Sequence, residues 1–134
     1  MEIHEIDEIC FSEKWNQTFY ESIKSDSKYK LIEYYEKDVR CGFVLVLNLF
    51  SESEIVRIAV IPEYRRRGIA EKLIKEVINY SKEAGYENIF LEVRSQNFQA
   101  KSLYIKSGFE ECGIRKQYYK NPKDDAIIMV KRLI

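Results

Sequence analysis

Three arginines and a glycine, Arg65-Arg66-Arg67-Gly68, stand between an apolar segment closed by Pro62 and a run of helical spacing that starts at Ile69. Backbone N–H groups at a helix start have no intrahelical acceptor and the helix dipole is positive there, while a glycine lets a ligand come close to the main chain. Such a turn can hold an anion. The residues fit neither GxxxxGK[ST] nor GxGxxG, which excludes the common nucleotide loops, and a plain solvated basic turn is the competing explanation. Further along, Glu92 interrupts an apolar stretch, and Tyr104 follows one helix later. A carboxylate among apolar neighbours is suited to take up a proton and a phenol to give one. Glu92 on a solvated strand face and Tyr104 as a packing residue with a bonded hydroxyl are the alternatives. Cys112 and the sole histidine, His4, have no local pattern of a nucleophile and its base.

The elements that must position these groups can be read from periodicity. Alternation over residues 1–6 predicts a first strand, with Asp7 capping a short helix that leads into Phe11. Trp15, Phe19, Tyr20 and Ile23 recur at helical spacing and predict a second helix ending near Ser25-Asp26-Ser27. Residues 29–36 and 40–50 are rich in β-branched and aromatic side chains on either side of Lys37-Asp38, and predict a hairpin. Residues 54–61 predict a third strand of that meander, ended by Pro62. A long amphipathic helix follows over residues 68–84, with Gly85 as its stop, and then a strand over 88–94. Strand, long helix, strand is the pattern of a parallel crossover. A helix over 97–106 and two strands over 109–119 and 125–133, turning at Asn121-Pro122, complete the chain. The expected architecture is a single α/β (α+β) domain over residues 1–134. It has a mixed, mostly antiparallel twisted sheet of six or seven strands with four helices, in the order β-α-α-β-β-β-α-β-α-β-β.

Composition bounds the partners. The 22 Lys and Arg balance the 22 Asp and Glu, so no global field favours nucleic acid or an anionic membrane, and a nucleic-acid binder using Arg65-Arg66-Arg67 ranks last. Three scattered cysteines without a CxxC pair fit a reduced, cytoplasmic protein and suggest no metal. No segment approaches the ~20 apolar residues that span a bilayer. A chain of 134 residues with 46% hydrophobic content can bury its own core.

Arg65, Gly68 and Ala70, as R-x-x-G-x-A after a strand, resemble the pyrophosphate loop of the GNAT acetyltransferases. Downstream, Leu91-Glu92-Val93-Arg94 with Asn97, Ala100, Leu103-Tyr104 and Gly108-Phe109 resembles the second half of that family. Ile114-Arg115-Lys116-Gln117-Tyr118-Tyr119 and Asp124-Asp125-Ala126-Ile127-Ile128-Met129 are similar to the C-terminal part of its RimI-type ribosomal-protein alanine N-acetyltransferases. The likeness covers residues 55–134, and the first fifty residues match only loosely.

The resemblance implies an enzyme that moves the acetyl group of acetyl-coenzyme A to an amine, by direct attack in a ternary complex rather than through an acyl-enzyme. The acceptor it implies is a protein N-terminus, a ribosomal protein among the candidates. It implies that the amides of Arg66, Arg67, Gly68, Ile69, Ala70 and Glu71, beside Arg65, hold the pyrophosphate. The backbone of Ile58, Ala59 and Val60 would pair with the pantetheine arm, Asn97 would hold that arm, and the cofactor would lie where the two strands flanking the long helix splay. Glu92 would be the base, directly or through water, and Tyr104 the acid. Tyr118 and Tyr119 are substrate candidates that can equally be packing residues. The chemistry needs such a pair: an α-amine with a pKa of about 7.7–8.0 is largely protonated at neutral pH, and only its neutral form attacks a thioester. A small amine or lysine side chain as acceptor, or a coenzyme A-binding module without catalysis, are the rival readings.

Overall fold

The computed structural model describes all residues from Met1 to Ile134. Its elements are helices α1 (Ile3–Cys10) and α2 (Gln17–Ile23), then strands β1 (Tyr29–Glu36), β2 (Val39–Asn48) and β3 (Glu52–Val60). A 3-10 turn (Pro62–Tyr64) leads to α3 (Ile69–Glu83), followed by β4 (Asn88–Arg94), α4 (Phe98–Lys106), β5 (Glu110–Lys120) and β6 (Lys123–Arg132). One six-stranded sheet runs β1-β2-β3-β4-β6-β5, and only the β3/β4 pair is parallel. The expected crossover is therefore present, made by α3.

The N-terminal segment differs from expectation. No strand forms over residues 1–6 and no separate helix follows Asp7; α1 occupies both. Ile3, Ile6 and Asp7 are buried on one face at the i, i+3, i+4 spacing of a helix, and the Glu2 N–H donates to the Glu5 carboxylate at 2.8 Å across the first turn. Alternation over so short a stretch does not separate a strand from a helix, and burial against β2 and β3 decided for the helix. Asp7 is thus no cap. It lies fully buried, receiving the Trp15 N–H (2.8 Å), the Tyr20 hydroxyl and the Arg57 guanidinium (2.6 Å).

β2 is buried on both faces, with Cys41 and residues 43–46 fully enclosed, because α3 covers one side and α1 with α2 the other. Ile69, Leu73, Ile74 and Val77 form the buried stripe of α3, and Ser81 ends it in a hydrogen bond to Ser53 of β3 (2.8 Å). Phe43 meets the edge of Tyr20 from α2 at a centroid distance of 5.9 Å. Burying a side chain of that size contributes about 1.5–3 kcal/mol. No helix is long and apolar enough to cross a membrane.

Candidate active site

The parallel ladder between β3 and β4 is short. It holds from Glu52↔Asn88 to Ile55↔Leu91 and then stops, although β3 continues to Val60 and β4 to Arg94. At the same level the β2/β3 ladder skips Val56, a bulge of the kind that bends a strand and re-aims the residues beyond it. The two strands part beyond this point. Ile61 N–H donates to Cys41 across the β2 ladder, so by antiparallel alternation Ile58 and Val60 turn their polar groups to the open edge. Val60's carbonyl is already engaged there by Arg65 Nε at 2.8 Å and by the Cys10 thiol at 3.6 Å. What remains for a ligand is the amide and carbonyl of Ile58 and the amide of Val60. The side chains of Ala59 and Val60 are buried, so this edge is a main-chain surface.

Past Pro62–Tyr64 the chain enters α3 through two left-handed residues, Arg66 (φ 65) and Gly68 (φ 76). Alternation of this kind curls successive amides inwards. No protein acceptor receives an N–H from any of residues 66–71, and Lys72 is the first amide of α3 to find one, at Gly68 O (3.1 Å). Gly68 faces open space, with no atom within 4 Å of where a Cβ would stand. Of the arginines, Arg65 is tied to Val60, while Arg67 pairs with Glu36 (3.0 Å) and lies over the Tyr64 ring (4.6 Å). Only Arg66 has no partner in the protein. Ile69 is in the core and offers only its amide; Ala70 is partly buried; Glu71 pairs with Lys106 at 3.4 Å and links α3 to α4. Chemically this is a row of free donors at a positive helix end, able to receive an anion.

Asn97 caps α4, its Oδ1 accepting the Ala100 N–H at 3.2 Å. Its Nδ2 group has no partner in the protein and is the donor Asn97 can offer a ligand.

On the α1/α2 side of the sheet, a cleft of about 200 Å³ opens beside β4, lined by Leu49, Glu52, Glu54, Glu92, Arg115 and Ile128 among others. Arg115 Nε stands 3.3 Å from Glu92 Oε2, yet that oxygen is buried and has no hydrogen bond. The contact is an ion pair by distance, without the alignment of a hydrogen bond. Glu54 has no partner of its own. Burial and, next, the Glu92 charge push its carboxyl up, and Arg115 opposes this.

Tyr104 is buried edge-on against Phe109 (5.9 Å between centroids), and its hydroxyl bonds to no protein group. Burial, with Tyr119 as a secondary influence, pushes the phenol up to about 12, so it keeps its proton at neutral pH. Tyr119 is raised by burial first and by the Glu92 carboxylate second, and the Arg94 guanidinium lies 4.2 Å over its ring. Tyr119 thus lies near enough to be felt by Tyr104 and to feel the Glu92 charge. Tyr118 stays half exposed, packed edge-on against Tyr119 at 5.1 Å. Tyr118 lies in, and Tyr119 directly follows, a bulge where Lys116, Gln117 and Tyr118 oppose Asp125 alone; Gln117 is left-handed (φ 52) and its N–H is held by Asp125 at 2.7 Å.

Glu54 and Arg115 are the site residues that sequence reasoning passed over. Glu54, a lone acid beside the apolar run Ile55-Val56, carried the same signal as Glu92. Arg115 stands in the stretch that resembles the RimI-type C-terminal part but had no role there, because nothing in the order of residues says that its side chain reaches Glu92 on β4.

Comparison with known proteins comes to the same architecture. Residues 1–109 match the family model described as Acetyltransferase (GNAT) family. The [ribosomal protein bS18]-alanine N-acetyltransferase of Haemophilus ducreyi is 35% identical over 106 residues, 77% of this chain and 73% of that one. The crystal structure of the ribosomal-protein-S18-alanine N-acetyltransferase from Escherichia coli superposes with a TM-score of 0.89 at 27% identity, over 97% of this chain and 84% of the other. A GNAT family acetyltransferase from Elizabethkingia anophelis, crystallised with acetyl-CoA bound, shares the fold at a TM-score of 0.83 and 19% identity, over 99% and 92%.

Proposed function

The chain belongs to the GNAT acetyltransferase family and is an acyltransferase, and on that premise we propose that it acetylates the N-terminal α-amino group of a protein, with a ribosomal protein of the S18 type as the acceptor. The observation that carries this reading is the opened β3/β4 ladder, with unclaimed amides at one side and the acidic cleft of Glu92 at the other. Relatives named for alanine N-acetylation of ribosomal protein bS18 support the choice of acceptor. The scattered free cysteines suit a cytoplasmic enzyme.

Residues 66–71 would hold the pyrophosphate of acetyl-coenzyme A by their amides, while Ile58 and the Val60 N–H would align the pantetheine arm and the Asn97 amide nitrogen would donate to it. Acetyl-coenzyme A supplies the acetyl group as a thioester. The acidic cleft draws in the acceptor's ammonium, and the Glu92 carboxylate takes its proton, directly or through one water. The neutral amine then attacks the acetyl carbon in a ternary complex; as the C–N bond forms and the C–S bond breaks, the Tyr104 hydroxyl gives its proton to the departing sulfur, and the surplus proton on the new amide nitrogen returns, directly or through water, to the Tyr104 phenolate. A phenol held protonated up to about 12 is matched to that task across the physiological range. Tyr119, and Tyr118 beyond it, would line the path of the acceptor's backbone.

The test is acetyl transfer to peptides with N-terminal Ala, Ser or Met beside an N-blocked lysine peptide and a small amine. Turnover favouring free N-termini is expected; preference for the lysine or the small amine would refute the acceptor, and coenzyme A binding without any turnover would refute the enzyme.

A further inference from the structure

The contact between Arg115 and Glu92 is unusual for an ion pair. Glu92 Oε2 is buried and lacks a hydrogen bond, and the cation beside it at 3.3 Å comes from a side chain that is 57% exposed. Arg115 stands on β5, the edge strand of the sheet, directly before the bulge that breaks its register with β6. The groups that face Glu92 are Glu52 and Glu54 on β3 and Arg115 and Tyr119 on β5, while β6 offers only Ile128. Three carboxylates thus share one cleft with a single cation, and that cation is the least enclosed of the four. A half-exposed pair without hydrogen-bond alignment is weakly held and screened by salt.

Resting on the acceptor reading above, we propose that Arg115 is a placeholder cation: it occupies the position at the Glu92 carboxylate that the acceptor's ammonium takes, and it swings out to solvent as that ammonium enters. In the empty cleft Arg115 is the one positive charge set against the mutual repulsion of the three carboxylates. On binding, one cation replaces another, so the charge of the cleft hardly changes and the acceptor does not have to enter a site of bare, mutually repelling acids. Arg115 is in this sense a positioning residue. It acts by standing at the Glu92 carboxylate, without touching the reacting atoms.

The experiment compares Arg115→Met, which keeps the apolar stem and removes the charge, with the conservative Arg115→Lys. Three readouts are taken: KM and kcat for an N-terminal alanine peptide, calorimetric affinity for that peptide and for its N-acetylated form, and the titration of the Glu54 carboxyl by carbon-detected NMR. In Arg115→Met the competing cation is gone, so KM for the amine peptide is expected to fall about two- to fivefold, the worth of an exposed ion pair. Affinity for the acetylated peptide, which has no ammonium, stays unchanged. The Glu54 titration moves to higher pH, because the one cation opposing the rise at Glu54 has been removed. Arg115→Lys retains wild-type behaviour. An unchanged or higher KM, equal tightening for both peptides, or a Glu54 titration that does not move would overturn the proposal. Absence of wild-type turnover on the alanine peptide would be a failure of the acceptor assignment instead, and the Glu54 titration, which needs no acceptor, would still decide the role of Arg115.

Discussion

The turn entering α3 and the cleft at Glu92 flank the same parted ladder, yet they are made in opposite ways. The turn is contiguous in sequence, spans residues 65–71, and presents main-chain amides whose direction is set by two left-handed residues. The cleft gathers Glu54, Glu92, Arg115 and Ile128 from four strands, and its properties come from side-chain charge and burial. A main-chain site should tolerate changes of side chain and suffer from changes of conformation. A side-chain site should behave in the reverse way, losing chemistry to substitutions that remove a single atom or charge.

The largest effect is expected on the cleft side. Glu92→Gln and Tyr104→Phe each keep shape and remove one of the two groups proposed to transfer protons, and each should lower kcat by about 10²–10⁴-fold in steady-state kinetics while coenzyme A affinity stays near wild type. A loss of cofactor affinity in either variant would break the division between the two regions. Next comes the buried pair beside the point where the ladder opens. Arg57, stacked over Trp15 at 3.7 Å and paired with buried Asp7, adjoins the Val56 bulge where the ladder opens. Asp7→Ala strands the Arg57 charge and should cost about 3–5 kcal/mol in denaturant unfolding. A cost below about 1 kcal/mol, the worth of an exposed pair, would show that the buried pair does not hold the opening.

On the turn side, Gly68→Ala meets no steric neighbour, and its penalty is the left-handed backbone alone, about 1–2 kcal/mol. If the variant relaxes to a right-handed conformation the amides turn away, and calorimetry should find coenzyme A binding weakened about tenfold or more; Gly68→Trp, which also fills the approach, should abolish it. Unchanged affinity in Gly68→Trp would refute the loop assignment. Smallest of all should be Arg66→Ala, an exposed side chain with no protein partner, expected to change coenzyme A affinity less than about threefold at moderate salt. A tenfold loss there would mean that side-chain charge, not the amides, holds the pyrophosphate.

Legibility follows the same division. The run at Ile69, Leu73, Ile74 and Val77 and the strand at 88–94 are readable because periodicity and a glycine stop are local signals, and β4 and α3 lie where those signals put them. The N-terminus reads wrongly as strand then helix because six alternating residues carry too little pattern, and only packing of Ile3, Ile6 and Asp7 on β2 and β3 settles it. Asn97 is legible as a polar residue at a helix start, while the commitment of its Oδ1 to the α4 cap is visible only in the fold.

From α2 onwards the sequence by itself determined the elements, the crossover and the turn at Gly68, since each depends on residues near one another in the chain: hydrophobic period, φ preference, helix start. Tertiary structure alone decided that the β3/β4 ladder ends at Ile55↔Leu91, that Val60's carbonyl is taken by Arg65, and that Arg115 stands over Glu92. Those are relations between distant segments, fixed by register and by a bulge. Charge and burial act through space, so the state of a carboxylate depends on neighbours that sequence order does not reveal.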